Sequence, residues 1–187
     1  MTEPASKFRS AIIGAGHICP FHISGIRRSG LAEVVAICDL DQPLASELAR
    51  QHNVPHVVER VADLKELGVD VVHVATPPQS HFSLTVQALE LGCHAFVEKP
   101  LATSVEQCEM IKQRAAEVNR QVCANHSNLL DPFIARAIGT ARSGRIGDVH
   151  SVTYLRSSNY PPYRGGPLPP HYRDGGFPFR DIGVHAL

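Results

Sequence analysis

The sequence predicts an α/β protein: a doubly wound parallel sheet of the Rossmann type, followed by an incomplete second domain of α+β structure. Three observations predict this fold. Short apolar runs of strand length alternate with helical stretches over about the first 125 residues. Several of these runs end in glycine or polar residues, and ligands of open α/β sheets bind outside the carboxyl ends of strands. Beyond that point, Pro, Gly and Tyr collect in one segment, 158–178.

The first half of the predicted sheet alternates strands with helices. Asp41 is expected to cap the second helix, because its carboxylate can accept a hydrogen bond from a free backbone N–H, and Pro43 suits the first turn. The expected elements are strands over Phe8–Ile13, Ala32–Asp39 and His56–Val57, with helices over about 17–29, 41–51 and 60–67.

The second half continues the same alternation. Asp70–Ala75 is a continuous apolar run, typical of a parallel strand that is buried on both faces. Ser80 is expected to cap a helix that ends at Gly92, and Thr103 with Glu106 has capping-box spacing at the start of the next helix. Strands over His94–Val97 and Gln121–Asn125 complete a parallel sheet with right-handed crossovers.

Two domains are predicted, over residues 1–127 and 128–187. In the second, Asp131-Pro132 opens a helix that runs to about Ser143. Asp148–Arg156 alternates like a strand of a different sheet, and the Pro-, Gly- and Tyr-rich segment is expected to form a loop over a site.

Composition excludes several classes of protein. The 18 basic and 18 acidic residues cancel, which gives no electrostatic case for nucleic acid or an anionic membrane as partner. There is no apolar run near the ~20 residues of a membrane span and no apolar signal segment after Met1. The five cysteines form no Cys-x-x-Cys pair, and no two histidines have metal-ligand spacing on a plausible helix. We therefore expect a cytoplasmic protein without a metal site.

A glycine fingerprint follows the first predicted strand, in the order Gly14-Ala15-Gly16-His17-Ile18-Cys19. Gly14 would permit the tight turn from strand to helix, and Gly16 would let the backbone approach a pyrophosphate at the positive end of the helix. The third position of such fingerprints usually holds Gly or Ala, so Cys19 makes the match imperfect.

Asp39 closes the second predicted strand, about 25 residues after Gly14. A carboxylate there would accept hydrogen bonds from a ribose 2′-hydroxyl and repel a 2′-phosphate, so it favours NAD over NADP. Leu40 follows, where a site for NADP would often offer Arg. A plain capping role suits Asp41 better than Asp39.

With these motifs the sequence resembles the Gfo/Idh/MocA oxidoreductases, a family that includes inositol dehydrogenases and glucose–fructose oxidoreductase. The resemblance covers nearly the whole chain. It rests on the glycine fingerprint and on Cys38-Asp39, Ala75-Thr76-Pro77-Pro78 with His81, Glu98-Lys99-Pro100, Asp174-Gly175-Gly176, and Asp181-Ile182-Gly183-Val184-His185.

The resemblance implies roles for individual residues. Lys99 would lie beside the nicotinamide and the substrate hydroxyl, with Asp181 and His185 on one face of a helix, as a catalytic trio. Histidine suits the base that takes the hydroxyl proton, and an ammonium can stabilise the oxygen as its charge changes. The implied cofactor-binding residues are Gly14, Gly16, His17, Ile18, Asp39, Thr76, Pro77, Pro78, His81, Glu98, Lys99 and Asn125.

The implied function is an NAD-dependent oxidoreductase that transfers a hydride between a polyol or sugar-like alcohol and the nicotinamide. A homo-oligomer is the implied assembly. Alternatives are an NAD-using glycoside hydrolase of the same family and a non-catalytic dinucleotide-binding regulator or fragment. Two departures from the family pattern bear on this choice. Asn125-His126-Ser127-Asn128 replaces an Arg-Phe pair, so the substrate pocket stays unassigned, and the chain stops at Leu187, early in the expected second domain. We therefore expect this 187-residue form to bind cofactor and to turn over poorly.

Overall fold

The computed structural model describes residues 6–153, whose centre is a six-stranded parallel sheet. The strands are β1 (Phe8–Ile13), β2 (Ala32–Cys38), β3 (His56–Val58), β4 (Val71–Val74), β5 (His94–Glu98) and β6 (Val122–Asn125). The α-helices are α1 (Cys19–Ser29), α2 (Gln42–Gln51), α3 (Pro78–Glu90), α4 (Val105–Glu117) and α5 (Pro132–Arg142), and 3₁₀ helices span Val61–Leu67 and Ser127–Leu130. The predicted doubly wound parallel sheet is confirmed.

The strand order is β3-β2-β1-β4-β5-β6, so the direction of winding reverses between β1 and β4. At this switch point Ile13 pairs with Cys38 on one side and with Val74 on the other. Further along the sheet, Glu98 pairs with Asn125. The segments that follow these strands therefore start from one edge of the sheet, where ligands of such folds bind.

Two apolar layers cover the sheet unequally. On one face, α3, α4 and the 3₁₀ helix Val61–Leu67 pack on the strands around a core that includes Ala11, Ile13, Val72, Val74, Ala95 and Val97. On the other face, α1 and α2 cover β1 and β2, around Ile12, Ile23 and Ile37. Beyond β1 on that face, α1 forms one wall of a groove over β4 and β5.

The predicted burial of Asp70–Ala75 on both faces is therefore wrong for one face. Val72 and Val74 are fully buried, whereas Val71 and His73 are only half-buried. Val71 and His73 line the groove that α1 borders on its outer side. An apolar run of this length predicts a strand, but which helix covers each face depends on the crossovers.

The predicted helix starts are confirmed in one case and shifted in another. Asp41 caps α2, where its Oδ1 accepts from the Leu44 N–H at 3.0 Å. Ser80, in contrast, does not cap α3, because the helix begins two residues earlier at Pro78. A proline fits the first turn without a cap, since its missing N–H leaves no donor to satisfy. The Ser80 hydroxyl instead donates to the Thr76 hydroxyl at 2.7 Å.

The N-cap of α4 is one residue later than the Thr103 that the capping-box spacing predicts. Ser104 is the N-cap, and its Oγ accepts from the Gln107 N–H at 3.2 Å. The Gln107 side chain in turn accepts from the Thr103 N–H at 3.1 Å. The sequence contains two overlapping matches to the capping-box pattern, Thr103 with Glu106 and Ser104 with Gln107, and spacing alone could not choose between them.

The chain divides into two compact units after Asn125. In the second unit, Asp131 caps α5 by accepting from the N–H groups of Phe133 and Ile134. The strand predicted over Asp148–Arg156 is wrong over 148–153, which have no regular structure. A strand needs a neighbour for its backbone, and the described part of this unit contains no other strand. The remainder of that prediction and the loop 158–178 lie outside the described residues.

Among residues 6–153, none of the helices combines the length and apolar character needed to cross a bilayer.

Candidate functional site

The turn after β1 lies at the switch point, and Gly14 is required there by geometry. Its φ is +106°, and a Cβ at this position would lie 2.7 Å from the Ala75 carbonyl oxygen. The Gly14 N–H donates to the Cys38 carbonyl at 2.8 Å. The ends of β1, β2 and β4 therefore meet at Gly14, which confirms the tight turn predicted for it.

Gly16 differs from Gly14, because no atom of the described residues lies within 4 Å of a Cβ built there. Space thus lies open above the start of α1. The two helices that begin beside the switch point, α1 and α3, have no side-chain cap, whereas Asp41, Ser104 and Asp131 cap the other three α-helices described. The first turn of α1 also contains no acidic residue. Uncapped N–H groups and an open backbone suit a bound anion such as a pyrophosphate.

The other fingerprint residues fall into two groups. His17 and Ile18 are exposed in the turn before α1, and the His17 ring lies edge-on to Phe21 with 5.8 Å between ring centres. Cys19, at the third fingerprint position, is fully buried in the layer between α1 and the sheet. Burial and the negative charge of Asp39 raise the pKa of the Cys19 thiol to about 12. Cys19 therefore acts as a small packing residue and stays a thiol.

Asp39 joins the glycine turn to the start of α2. Its Oδ2 accepts from the Ala15 N–H at 2.6 Å, and its Oδ1 accepts from the Asp41 N–H at 2.8 Å. The side chain is half-exposed. Each carboxylate oxygen has two lone pairs, so both oxygens keep capacity for a further donor such as a sugar hydroxyl. Asp39 thus fixes the turn and still presents acceptors at the edge of the sheet.

The segment after β4 is fastened to the segment after β5 by His81. Its ring is fully buried, with Nε2 2.7 Å from the Thr76 carbonyl oxygen and Nδ1 2.7 Å from the Pro100 carbonyl oxygen. Pro77 precedes α3 as its N-cap and Pro78 is its first residue. One side chain thus contacts both of the motifs that follow these strands, Thr76-Pro77-Pro78 and Glu98-Lys99-Pro100.

Glu98 ends β5 and links three elements. Its Oε1 accepts from the Asn125 amide at 2.6 Å and lies 3.0 Å from His22 Nε2. Its Oε2 accepts from the Lys99 N–H at 3.3 Å, and the Lys99–Pro100 peptide bond that follows is cis. Burial raises the pKa of Glu98, but the hydrogen bonds from His22 and Asn125 and the charge of His22 outweigh it, so the pKa lies below its ordinary value. The carboxylate is therefore ionised at neutral pH, and Lys99 follows it, half-buried, at the same edge.

Sequence reasoning missed two residues of this cluster, His22 and His73. His22 Nδ1 lies 3.1 Å from His73 Nδ1, and both rings pack edge-on or tilted against Phe96. Together they line an apolar groove of about 420 Å³ that reaches Glu98 and Asn125. One signal was present: His73 interrupts the apolar run from Val71 to Ala75, and a histidine inside such a strand needs a polar partner.

Asp181 and His185, the other two members of the predicted catalytic trio, lie outside the described residues.

Comparison with known proteins agrees with this geometry. A family model described as "Oxidoreductase family, NAD-binding Rossmann fold" (Gfo/Idh/MocA) matches residues 8–126. The D-glucoside 3-dehydrogenase of Escherichia coli K12 is 32% identical over 98% of this chain and 53% of its own length. The chain spans about half the length of the curated relatives that it matches.

Solved structures share the fold. The scyllo-inositol dehydrogenase of Lactobacillus casei, with bound NAD(H) and scyllo-inositol, superposes with a TM-score of 0.71 at 23% identity, over 76% of this chain and 43% of that one. A mutant of a 3-ketoreductase from Actinomadura kijaniata, in complex with TDP-benzene and NADP, gives a TM-score of 0.70 at 27% identity, over 77% and 45%. From the family match, the strand order and the turn at the switch point, the chain belongs to the Gfo/Idh/MocA oxidoreductases, with an NAD-binding Rossmann fold.

Proposed function

We propose that this protein is an NAD-dependent oxidoreductase of a polyol or sugar-like alcohol. The observation that carries the proposal is the turn at the switch point. There the Asp39 Oδ2 accepts from the Ala15 N–H at 2.6 Å. Beside it, the space around Gly16 is open, and α1 begins without a side-chain cap. This arrangement offers amide donors to a pyrophosphate and carboxylate acceptors to a ribose, which are the two recognition needs of a dinucleotide.

NAD is the preferred cofactor in this proposal. A 2′-phosphate would bring its negative charge against the Asp39 carboxylate, whereas a 2′-hydroxyl would donate to it. Leu40, the next residue, is exposed and offers no compensating positive charge. Solved structures of this fold contain NAD(H) in one case and NADP in another. The fold therefore does not choose between the two cofactors, and the proposal for NAD rests on Asp39.

Residues of the chain then act on the alcohol. When bound, the nicotinamide supplies the hydride acceptor. Lys99 hydrogen-bonds the substrate oxygen and stabilises it as the hydroxyl proton leaves and the carbonyl forms. His185 takes that proton as general base, and Asp181 orients the lysine or the substrate hydroxyls. The last two assignments rest on the family resemblance of the segment from Asp181 to His185.

The other predicted cofactor residues divide by their surroundings. His17, Ile18, Thr76, Pro77, Pro78 and Asn125 lie in or beside the segments that follow β1, β4 and β6, where a dinucleotide would extend. His81 is different, since protein carbonyls occupy both of its ring nitrogens. We assign His81 to holding Thr76 and Pro100 in place, and Glu98 to holding Lys99.

The same proposal includes the setting of the reaction. The partner is a small-molecule alcohol, with residues 1–127 as the dinucleotide-binding domain and 128–187 as part of the substrate domain. All five cysteines are free thiols, which suits a reducing compartment such as the cytoplasm. Assembly as a homo-oligomer is part of the proposal, to be checked by light scattering.

Cofactor binding tests the first half of the proposal. NADH and NADPH are titrated by fluorescence against the 187-residue chain and its variant Asp39→Ala. We expect NADH to bind more tightly, and Asp39→Ala to weaken it by about 1–3 kcal/mol, the range for hydrogen bonds to a charged group. Asp41→Ala is the matched control, because Asp41 caps α2 and does not contact the glycine turn. Equal affinity for both cofactors would overturn the role of Asp39.

Turnover tests the second half, with the natural protein and a panel of sugar alcohols and glycosides. Lys99→Met should lower turnover at least ~100-fold, the scale for a positioned proton-transfer or electrostatic group, with NADH binding kept. Lys112→Met is the control, because that lysine pairs with Glu109 on the exposed face of α4. Normal turnover by Lys99→Met would refute the assignment. Glycoside cleavage without net NAD reduction would point to the hydrolase alternative, and NADH binding without any turnover to the regulator.

A further inference from the structure

A buried polar cluster lies behind Lys99, on the groove side of the sheet. Its members come from four elements: His22 from α1, His73 from β4, Glu98 from β5 and Asn125 from β6. Distances of 3.1, 3.0 and 2.6 Å join them in the order His73, His22, Glu98, Asn125. Only 5% of the His22 side chain and 13% of the Glu98 side chain are exposed. Within residues 6–153, no three His, Cys, Asp or Glu side chains are grouped to hold a metal ion.

The Glu98 carboxylate is the link between this cluster and Lys99. A carboxylate taken out of water is costly unless its oxygens are satisfied. Here Oε1 accepts from Asn125 and His22, and Oε2 accepts from the Lys99 backbone N–H. Removing His22 would leave Oε1 with a single side-chain donor. The carboxylate would then be held less firmly, with Asn125 as the remaining side-chain donor to Oε1, and its hydrogen bond to the Lys99 backbone N–H would weaken.

His73 fixes the far side of the His22 ring. Burial, reinforced by the nearby His22, lowers the pKa of His73 to about 4, so its ring is neutral at physiological pH. A neutral His73 whose proton is on Nδ1 can donate it to His22 Nδ1. His22 then carries its own proton on Nε2 and donates it to Glu98. In this arrangement the His22 ring is held at both nitrogens.

We propose that His22, supported by His73, is a positioning residue for Lys99, which it acts on through the Glu98 carboxylate. The inference rests on the proposed catalytic role of Lys99. In this inference α1 has two roles. Its start binds the cofactor pyrophosphate, and its residue His22 helps to position Lys99, which follows β5. Neither histidine touches substrate or cofactor in this proposal.

The test measures the Lys99 amide in the 187-residue chain, without cofactor or substrate. Amide hydrogen exchange is followed by NMR for His22→Leu, His22→Gln and His73→Leu. His22→Leu should speed exchange at Lys99 about three- to tenfold, the effect of losing one hydrogen bond. His22→Gln keeps a donor toward Glu98 and should restore exchange to within about twofold of the parent chain. His73→Leu should give an intermediate rise, because His22 keeps Glu98 and loses its other support.

The Ala75 amide, which donates to Ile13 within the same sheet, is the internal control. An equal rise at Ala75 and Lys99 would mean general loosening and would overturn the proposal. An unchanged Lys99 amide in the three variants would overturn it too. If His22→Leu does not fold, the other two variants still decide the outcome. His22→Gln must leave the Lys99 amide protected, and His73→Leu must speed its exchange.

A second measurement separates this inference from the proposed function. In the natural protein, His22→Leu should lower kcat about three- to tenfold, in line with the exchange effect, while the Kd for NADH stays unchanged. Full activity of Lys99→Met would refute the proposed function, and the exchange result would still show whether His22 holds Lys99. A changed exchange rate with an unchanged kcat would overturn the positioning role.

Discussion

The two halves of the sheet are built differently. In β1 and β2, residues on both faces are buried, with Ile12 and Ile37 fully enclosed on one face and Ala11 and Ala36 on the other. In β4 and β5, burial alternates along the strand. The half-buried positions there include His73, Phe96 and Glu98, which line the groove beside α1.

This difference shows where a Rossmann sheet can accept polar side chains. A strand covered on both faces accepts few of them, because a buried polar group is costly without a partner. In the half that borders the groove, His22, His73, Glu98 and Asn125 satisfy one another, and the carboxyl end of that half carries Lys99. The half with β1 and β2 is thus an apolar core, and the half with β4 and β5 carries the ionisable side chains and Lys99.

The largest expected effect lies where the two halves meet. Gly14→Ala would place a Cβ 2.7 Å from the Ala75 carbonyl oxygen at a φ of +106°. Backbone strain and overpacking together should lower the free energy of unfolding by about 4 kcal/mol. Gly16→Ala is the control, with open space around its Cβ, and should cost less than about 1 kcal/mol. Urea denaturation measures both, and similar losses in the two variants would contradict the view of Gly14 as a packed junction.

The pH dependence of stability should distinguish the grooved half. The pKa of His73 falls from its ordinary value of 6.5 to about 4 in the folded protein. As the pH falls below about 6.5, the unfolded chain binds this proton before the folded protein does. The free energy of unfolding therefore falls by up to about 3 kcal/mol as the pH approaches 4. His73→Leu should remove that part of the pH dependence. Parallel curves for the two proteins, from urea denaturation at several pH values, would show that His73 does not titrate this way.

Two neighbouring valines of β4 compare the two faces directly. Val72 is fully buried under α3, whereas Val71 is half-buried in the groove. Val72→Ala should lower the free energy of unfolding by about 2 kcal/mol and Val71→Ala by less than about 1 kcal/mol, in proportion to the apolar surface each keeps from water. Equal losses in chemical denaturation would mean that the groove face is as well covered as the other.

The smallest expected effect concerns a polar atom in the covered layer. Thr85 of α3 is fully buried, and within residues 6–153 its Oγ1 has no hydrogen-bond partner. Thr85→Val keeps the shape of the side chain and removes the unpaired hydroxyl, so it should raise the free energy of unfolding by about 1 kcal/mol. Thr76→Val is the contrast. The Thr76 hydroxyl accepts from Ser80, so its removal should lower the free energy of unfolding. A loss of stability in Thr85→Val would show that this hydroxyl is satisfied.

The sequence by itself determined the order of elements and the chemistry at their ends. The strands, Asp41 as the cap of α2, the Gly14 turn and the acidic end of β2 all follow from local patterns, because propensity, capping and turn geometry act over a few residues. The same patterns left alternatives wherever two matches overlapped, as at Thr103 and Ser104.

Only the tertiary structure decided which faces are covered and which distant side chains meet. His22 and His73 are 51 positions apart, and His22 and Glu98 are 76 positions apart, yet each pair lies within hydrogen-bond distance. No local pattern encodes such a pair, because the strand order and the helix crossovers bring the partners together. For the same reason the sequence predicts that β4 is buried on both faces, whereas in the folded protein its Val71 and His73 side chains line a groove.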